Sequence, residues 1–187
     1  MIVTFTGPSG SGKTSLLFKL MKRWPDKIHP IISSTSRSPR SREIERINYY
    51  FVDRSAFDSE DMVEKVTFGD NLYGLTREEL SKACASPKIC IAIVDVKGSL
   101  WLKEHCGAIR FYLKTSPGLS RYRLNKRDGI EEARKRHQID ISEHLYESDG
   151  YDAIIRTNGK NWTKIIKQFV IGIKPYIKDN EILNHGA

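Results

Sequence analysis

The sequence predicts an α/β fold, a doubly wound parallel sheet with right-handed crossovers into which a small antiparallel lobe is inserted. Three observations carry this expectation. Apolar, β-branched runs alternate with segments of helical period along most of the chain. The strongest run, KICIAIVD at residues 88–95, is nearly continuous, as a strand buried on both faces requires. Residues 34–75 break the alternation and read as short strands and turns.

Taken in order, residues 2–6 (IVTFT) form an apolar first strand, and residues 15–23 a helix with Leu16, Leu17, Leu20 and Met21 on one face. Between them, residues 7–14 read GPSGSGKT, a complete G-x-x-x-x-G-K-[ST] phosphate loop of the P-loop NTPase kind. Gly7, Gly10 and Gly12 let the backbone curl so that N–H groups along Ser9, Ser11, Lys13, Thr14 and Ser15 converge on a polyphosphate. The anion then rests on the positive end of the following helix. Lys13 reaches the β- and γ-phosphates of a nucleotide such as ATP, and the Thr14 hydroxyl can ligand Mg²⁺. Further core strands are expected at 28–33, 88–95, 109–113 and 153–156, and helices at 97–104, 118–126, 131–147 and 162–177. The last helix places Ile165, Ile166, Phe169, Val170 and Ile173 at helical spacing. In the inserted lobe, residues 48–53 and 64–68 look like strands, and FGDNLYG at 68–74 looks like a tight turn. Thr76 with Glu79 three residues on reads as a capping box that opens a helix.

A chain of 187 residues suits one domain: core segments 1–33 and 76–187 around a lobe at 34–75. Hydrophobic and charged contents of 39% and 29% are ordinary for a globular protein, and no run is long enough to span a bilayer. The first strand begins at Ile2 with no basic leader, so a cytoplasmic protein is expected. Cys84, Cys90 and Cys106 have no metal-ligand spacing and read as reduced thiols. A net charge of +8 points to anionic partners. The phosphate loop favours small nucleotides over nucleic acid, for which no binding signature is present. Part of that charge is solvated surface, for example Lys164, Lys167, Lys174 and Lys178.

A second constellation follows the second core strand. Arg37 and Arg40 lie three apart in SSTSRSPR, with Pro39 stiffening the turn. Two guanidinium forks on a rigid turn suit a phosphate monoester, although a solvated basic loop has the same composition.

From here the chain resembles guanylate kinase. The residues that carry the resemblance are the GPSGSGKT loop, Arg37 and Arg40 in S-x-T-x-R-x-P-R, then NYYFV at 48–52, Glu64, and the Tyr73-Gly74 turn. Order and spacing agree along residues 2–98 and more weakly through 121–136 and to Asn158. The resemblance implies a nucleoside monophosphate (NMP)-binding lobe at 34–75 and a helical lid at about 123–137. It implies that Arg37, Arg40, Tyr49 and Tyr73 hold the acceptor phosphate. Glu64 would accept from the guanine ring N–H and amine, and Ser33 would contact the base carbonyl. It implies lid arginines over the ATP phosphates, carried here by Arg123, Arg127 and Arg136, with Arg134 a rival for the last place. Asn158 matches a position near adenine. Asp95, at the end of the strongest strand, would order Mg²⁺ waters or a substrate group, or simply end the strand.

Two positions depart from the family pattern. Leu75 stands where Ser or Thr usually donates to the guanine carbonyl, and Ile93 replaces the first acid of the central strand. Both changes fall on the base pocket and leave the phosphate clamp intact. The reaction implied is ATP + NMP → ADP + NDP, with GMP or dGMP as acceptor, in a monomer or homodimer. The alternatives are a kinase of the same fold acting on another monophosphate or a ribose phosphate, and a non-catalytic interaction module of the family. A module of that kind typically lacks the ATP loop that Lys13 and Thr14 complete here.

Overall fold

The structure is a computed structural model and describes residues 1–40, 43–159 and 161–177; Lys178 and the tail to Ala187 lie outside it. The chain runs through β1 (Ile2–Thr6), α1 (Lys13–Arg23), β2 (Ile28–Ile31), β3 (Ser34–Thr35), β4 (Tyr50–Phe51), α2 (Arg54–Ser59), β5 (Met62–Phe68) and β6 (Asn71–Thr76). It continues through α3 (Arg77–Ala85), β7 (Ile89–Ile93), α4 (Val96–Cys106), β8 (Ile109–Lys114), α5 (Pro117–Asp128), α6 (Ile130–Ser142), β9 (Ala153–Arg156) and α7 (Trp162–Ile173).

Five strands form the expected parallel sheet in the order β2-β7-β1-β8-β9. Alternate residues feed two cores. On one face Val3, Phe5, Ile91, Phe111 and Leu113 pack against Leu16 and Leu20 of α1 and Ile165, Phe169 and Ile173 of α7. On the other, Ile2, Cys90 and Ala92 pack against Ala83 of α3 and Leu102 of α4. Phe5, Phe111 and Phe169 meet at ring-centroid distances of 5.3 to 6.2 Å, which anchors α7 on the sheet. Because helices cover both faces, the strands are apolar nearly throughout, and this is why they were legible as continuous runs. The carboxyl ends of β1 and β7, with the loops that follow them, open on one edge of the sheet, where an open α/β sheet places its ligand.

The lobe departs from expectation in four ways, the first being that the tight turn expected at 68–74 shrinks to residues 69–70 while 71–74 join β6. Its sheet, ordered β4-β3-β6-β5, is mixed rather than purely antiparallel, because β4 runs parallel to β3. The strand expected at 48–53 shrinks to Tyr50–Phe51, since the Asn48 side chain accepts from Ile44 N–H at 2.8 Å and closes a local turn. A short helix, α2, fills residues that carried no expectation and buries Phe57 under the lobe sheet. The capping box is half formed. Thr76 Oγ1 accepts from Glu79 N–H, but the Glu79 carboxylate turns to Ile32 N–H and Tyr50 O–H and so ties α3 to the lobe.

Two helices also end early. α6 stops at Ser142 rather than 147: His144 takes φ 53°, which turns the chain so that Leu145 is buried. α7 stops at Ile173, and Lys174–Tyr176 tighten into a 3₁₀ turn around Pro175, which has no N–H to donate. Gly129 separates α5 from α6 alone. Its φ of 86° is a conformation that L side chains resist, so the two helices form a hairpin with a one-residue bend. No helix among the described residues is long and apolar enough to cross a membrane.

Candidate active site

The phosphate loop leaves β1 and enters α1 with Gly12 at φ 96° as the N-terminal cap. Gly10 takes φ 78°, and a Cβ placed there would lie 2.8 Å from Ser120 O on α5, so the loop curls directly against the α5–α6 hairpin. α1 carries no acid in its first turn, which leaves its positive end for an anion. Lys13 Nζ donates to the Gly7 and Pro8 carbonyls. Burial pulls its pKa down to about 8, with the Asp140 carboxylate opposing and Arg127 adding to the fall. An anion at the loop would raise that pKa again, as a nearby opposite charge favours the charged form.

Lys13 opens on a cavity of about 530 Å³ whose lining includes Gly7, Ser9, Gly10, Ser11, Gly12, Thr14 and Ser15 on one side. Ser33, Arg37, Arg40, Tyr49, Glu64, Tyr73 and Asp95 line the other. Arg123, Arg127 and Arg136 also line this cavity, and Arg134 is exposed and outside it. The two arginines of the early turn therefore face the phosphate loop across one cleft.

Arg37 is only 9% exposed and is held on all sides. Its Nε donates to Tyr73 O–H at 3.2 Å, and Nη1 donates to Ser38 O at 2.8 Å and Glu43 Oε2 at 2.7 Å. Nη2 donates to Glu43 Oε1 at 3.0 Å. Glu43 also takes Arg40 N–H and Arg40 Nη1, both at 2.9 Å. Burial works against the Arg37 charge, but Glu43 and Tyr73 more than offset it and raise its pKa. Glu43 is pulled below the usual carboxylate range by the same arginines, against the effect of burial. The pair thus meets a ligand as pre-oriented cations on one shared carboxylate. Tyr49 packs edge-on to Tyr73 at 5.8 Å and under the Arg37 guanidinium, and burial pushes its hydroxyl pKa up to about 12, so it stays a donor.

The cleft wall that carries Glu64 and Asp95 is built from β5, β6 and the end of β7. Glu64 Oε1 is buried with no protein partner. Burial first, then the Asp95 charge, push the Glu64 pKa up to about 7. A Cβ on Gly98 would meet Asp95 Oδ1 at 3.3 Å and Glu64 Oε1 at 3.4 Å, so the two carboxylates share one pocket wall. Asp95 also caps α4, accepting from Gly98 N–H at 2.7 Å, and burial raises its pKa. Leu75 points away: it is 1% exposed and belongs to the core under the lobe. Val66, Ile93 and Val94 supply an apolar wall instead.

The arginines of α5 and α6 are used unequally. Arg123 donates to Gly10 O at 3.1 Å and Thr157 O at 2.8 Å, stapling α5 to the phosphate loop. Arg127 forks onto Asp128 with two 2.7 Å bonds. Arg136 reaches Glu132 at 3.0 Å and Asp128 at 3.6 Å. Asn158 is exposed and accepts from Ser116 N–H at 2.9 Å, and it does not line the cavity, whereas its neighbours Thr157 and Gly159 do. Thr14 is exposed at the start of α1 and faces the cleft. Among the described residues no group of three His, Cys, Asp or Glu side chains could hold a metal alone. The Thr14 hydroxyl facing the cleft is a donor of the kind Mg²⁺ accepts beside waters and substrate phosphates.

Sequence reasoning missed Glu43, Asp140 and Trp162. Glu43 follows Arg40 by three residues, an ion-pair spacing that could have signalled it. Asp140 follows Arg136 by four on a helix. Trp162 opens α7 beside Gly12, lines the cleft and lies 5.0 Å from the Lys19 ammonium; only its helical context was legible.

The guanylate kinase family model matches residues 1–170. The guanylate kinase of Chlamydia trachomatis serovar D is 34% identical over 143 residues, covering 73% of this chain and 69% of that protein. That of Carboxydothermus hydrogenoformans is 32% identical over 163 residues, covering 83% and 79%. The crystal structure of guanylate kinase from Anaplasma phagocytophilum aligns with a TM-score of 0.69 over 96% of this chain and 87% of that one; at 18% identity it speaks for the fold. With the family model spanning nearly all the described residues and the relatives matching over most of their own length, this chain belongs to the guanylate kinase family.

Proposed function

We propose that this chain is an ATP-dependent phosphotransferase that converts GMP and dGMP to GDP and dGDP. The observation that carries the reading is the single cleft in which the phosphate loop with Lys13 faces Arg37, Arg40, Tyr49 and Tyr73. A triphosphate on one side and a monoester on the other then meet end to end, and such proximity is a large part of the catalysis in phosphoryl transfer.

In this reading the loop amides and Lys13 cradle the β- and γ-phosphates of ATP. Arg37 and Arg40, pre-set by Glu43, align the acceptor phosphate, and an oxygen of that phosphate attacks the γ-phosphorus as the ADP oxygen leaves. Arg127 and Arg136 neutralise the transferring group and exclude water, which would otherwise hydrolyse ATP. Thr14 would hold Mg²⁺ together with the phosphates, and the ion would draw charge from their oxygens. Glu64 offers two acceptor oxygens to the guanine ring N–H and amine. Adenine lacks that ring N–H and would leave a buried acceptor unpaired. Asn158 acts through the Ser116 turn, and Trp162 offers a flat face at the donor end.

One observation favours a second reading, a kinase for another monophosphate. Leu75 is in the core and the pocket wall carries Val66 and Ile93, so the base carbonyl meets fewer donors. A coupled ADP-release assay over a panel of ribo- and deoxynucleoside monophosphates separates the two. GMP or dGMP should be turned over at least tenfold more efficiently than AMP, CMP and UMP; absence of turnover with either guanine nucleotide rejects the primary reading.

A further inference from the structure

Asp140 is a fully buried carboxylate that the reaction just described leaves without a task. It projects from α6 onto the phosphate loop, 131 residues away in sequence. Its Oδ2 accepts from Ser9 N–H at 2.8 Å and its Oδ1 from Ser9 Oγ–H at 2.9 Å. Two charge-assisted bonds to one residue fix both the position and the rotation of that residue. Arg136 lies one turn earlier on the same helix, and residues four apart share a face. The face of α6 that grips the loop therefore also carries a lid arginine. α5 grips the neighbouring peptide in turn through Arg123 and Gly10 O.

We infer that Asp140 is a positioning residue for the phosphoryl donor: it registers α6, and Arg136 with it, against the phosphate loop, so that loop and lid arginine meet the triphosphate as one unit. The inference rests on the ATP-dependent reading above. Its signature is a defect confined to the donor side. Loosening α6 displaces Arg136 and frees Ser9, whereas the acceptor clamp hangs on Glu43 and the lobe, which Asp140 does not touch.

The test uses the full chain and the variants D140A, D140N and S9A. Binding of a fluorescent trinitrophenyl-ATP is measured by titration, and steady-state kinetics are recorded with ATP and GMP varied in turn. D140A should weaken analogue binding and raise the ATP KM about tenfold or more and lower kcat at least fivefold, with the GMP KM within twofold. An asparagine amide can still accept from Ser9 N–H and donate to Ser9 Oγ, so D140N should recover most of the loss when read at pH 6.5, where Lys13 stays charged without the support of the carboxylate. S9A, which removes only the hydroxyl bond, should raise the ATP KM about threefold, and it carries the test if D140A does not fold. In that case an unchanged ATP KM in S9A overturns the inference. With folded D140A, unchanged donor binding, equal loss for ATP and GMP, or D140N as impaired as D140A overturns it. If the wild-type chain fails to phosphorylate GMP, the proposed function falls, and analogue binding to the variants still decides the role of Asp140.

Discussion

The base pocket makes a quantitative demand on pH. In the proposed function Glu64 receives two guanine donors only when ionised, and burial beside the Asp95 charge pushes its pKa up to about 7. At pH 6 about a tenth of the molecules carry the charge and at pH 8 about nine tenths, so guanine affinity should rise about tenfold over that interval. The sign follows from the raised pKa: the binding form is lost as pH falls through 7, not through the ordinary carboxylate range near 4.3. GMP itself confuses the measurement, because a phosphate monoester takes its second proton near pH 6. Guanosine, which lacks the phosphate, isolates the carboxylate. Isothermal titration of guanosine between pH 5.5 and 8.5 should therefore give a single limb centred near 7. In E64Q the limb should vanish. Affinity should fall about 10- to 150-fold, since a hydrogen bond to a charged group contributes about 1.5–3 kcal/mol and the glutamine amide adds a donor facing a donor. A pH-independent guanosine affinity, or E64Q binding guanosine as the wild type does, would refute the assignment of the buried Oε1 to the base.

Three further outcomes are expected. R37K should raise the GMP KM about 100-fold and leave the ATP KM within twofold, because one ammonium cannot replace bonds to Tyr73, Ser38 and Glu43 at once; initial-rate kinetics with each substrate varied checks the split. G10A should lower stability by about 2 kcal/mol or more in urea unfolding and abolish ATP binding, since φ 78° and a contact of 2.8 Å with Ser120 O oppose any Cβ. F169A empties the centre of the three-ring cluster and should cost about 3–5 kcal/mol, read from the unfolding midpoint. A loss under about 1 kcal/mol there would mean that α7 is not anchored as described.

The parallel core was largely legible because burial on both faces writes itself into composition. β7 could be read from an unbroken apolar run and α7 from Ile165, Phe169 and Ile173 at helical spacing. The lobe was read less well. β3 and β4 are two residues each, and side chains beside them bond locally, as Asn48 does with Ile44, so neither period nor propensity marks their ends. At the site, the residues found early are those whose chemistry is local: glycines that must curl, a lysine and threonine that follow them, two arginines on one turn. The residues missed, Glu43 and Asp140, are ordinary acids in the chain and gain meaning only from what they touch.

The loop GPSGSGKT, its flanking strand and helix, and the paired arginines were settled along the chain, because backbone conformation and side-chain type at adjacent positions suffice for them. What faces them was settled by packing across the chain. Folding brings the Asp140 carboxylate to Ser9 from 131 residues away, buries Leu75 beneath the lobe, and desolvates Glu64 beside Asp95. Desolvation and long-range contact depend on distances between segments remote in sequence, and no local pattern of residues encodes those distances.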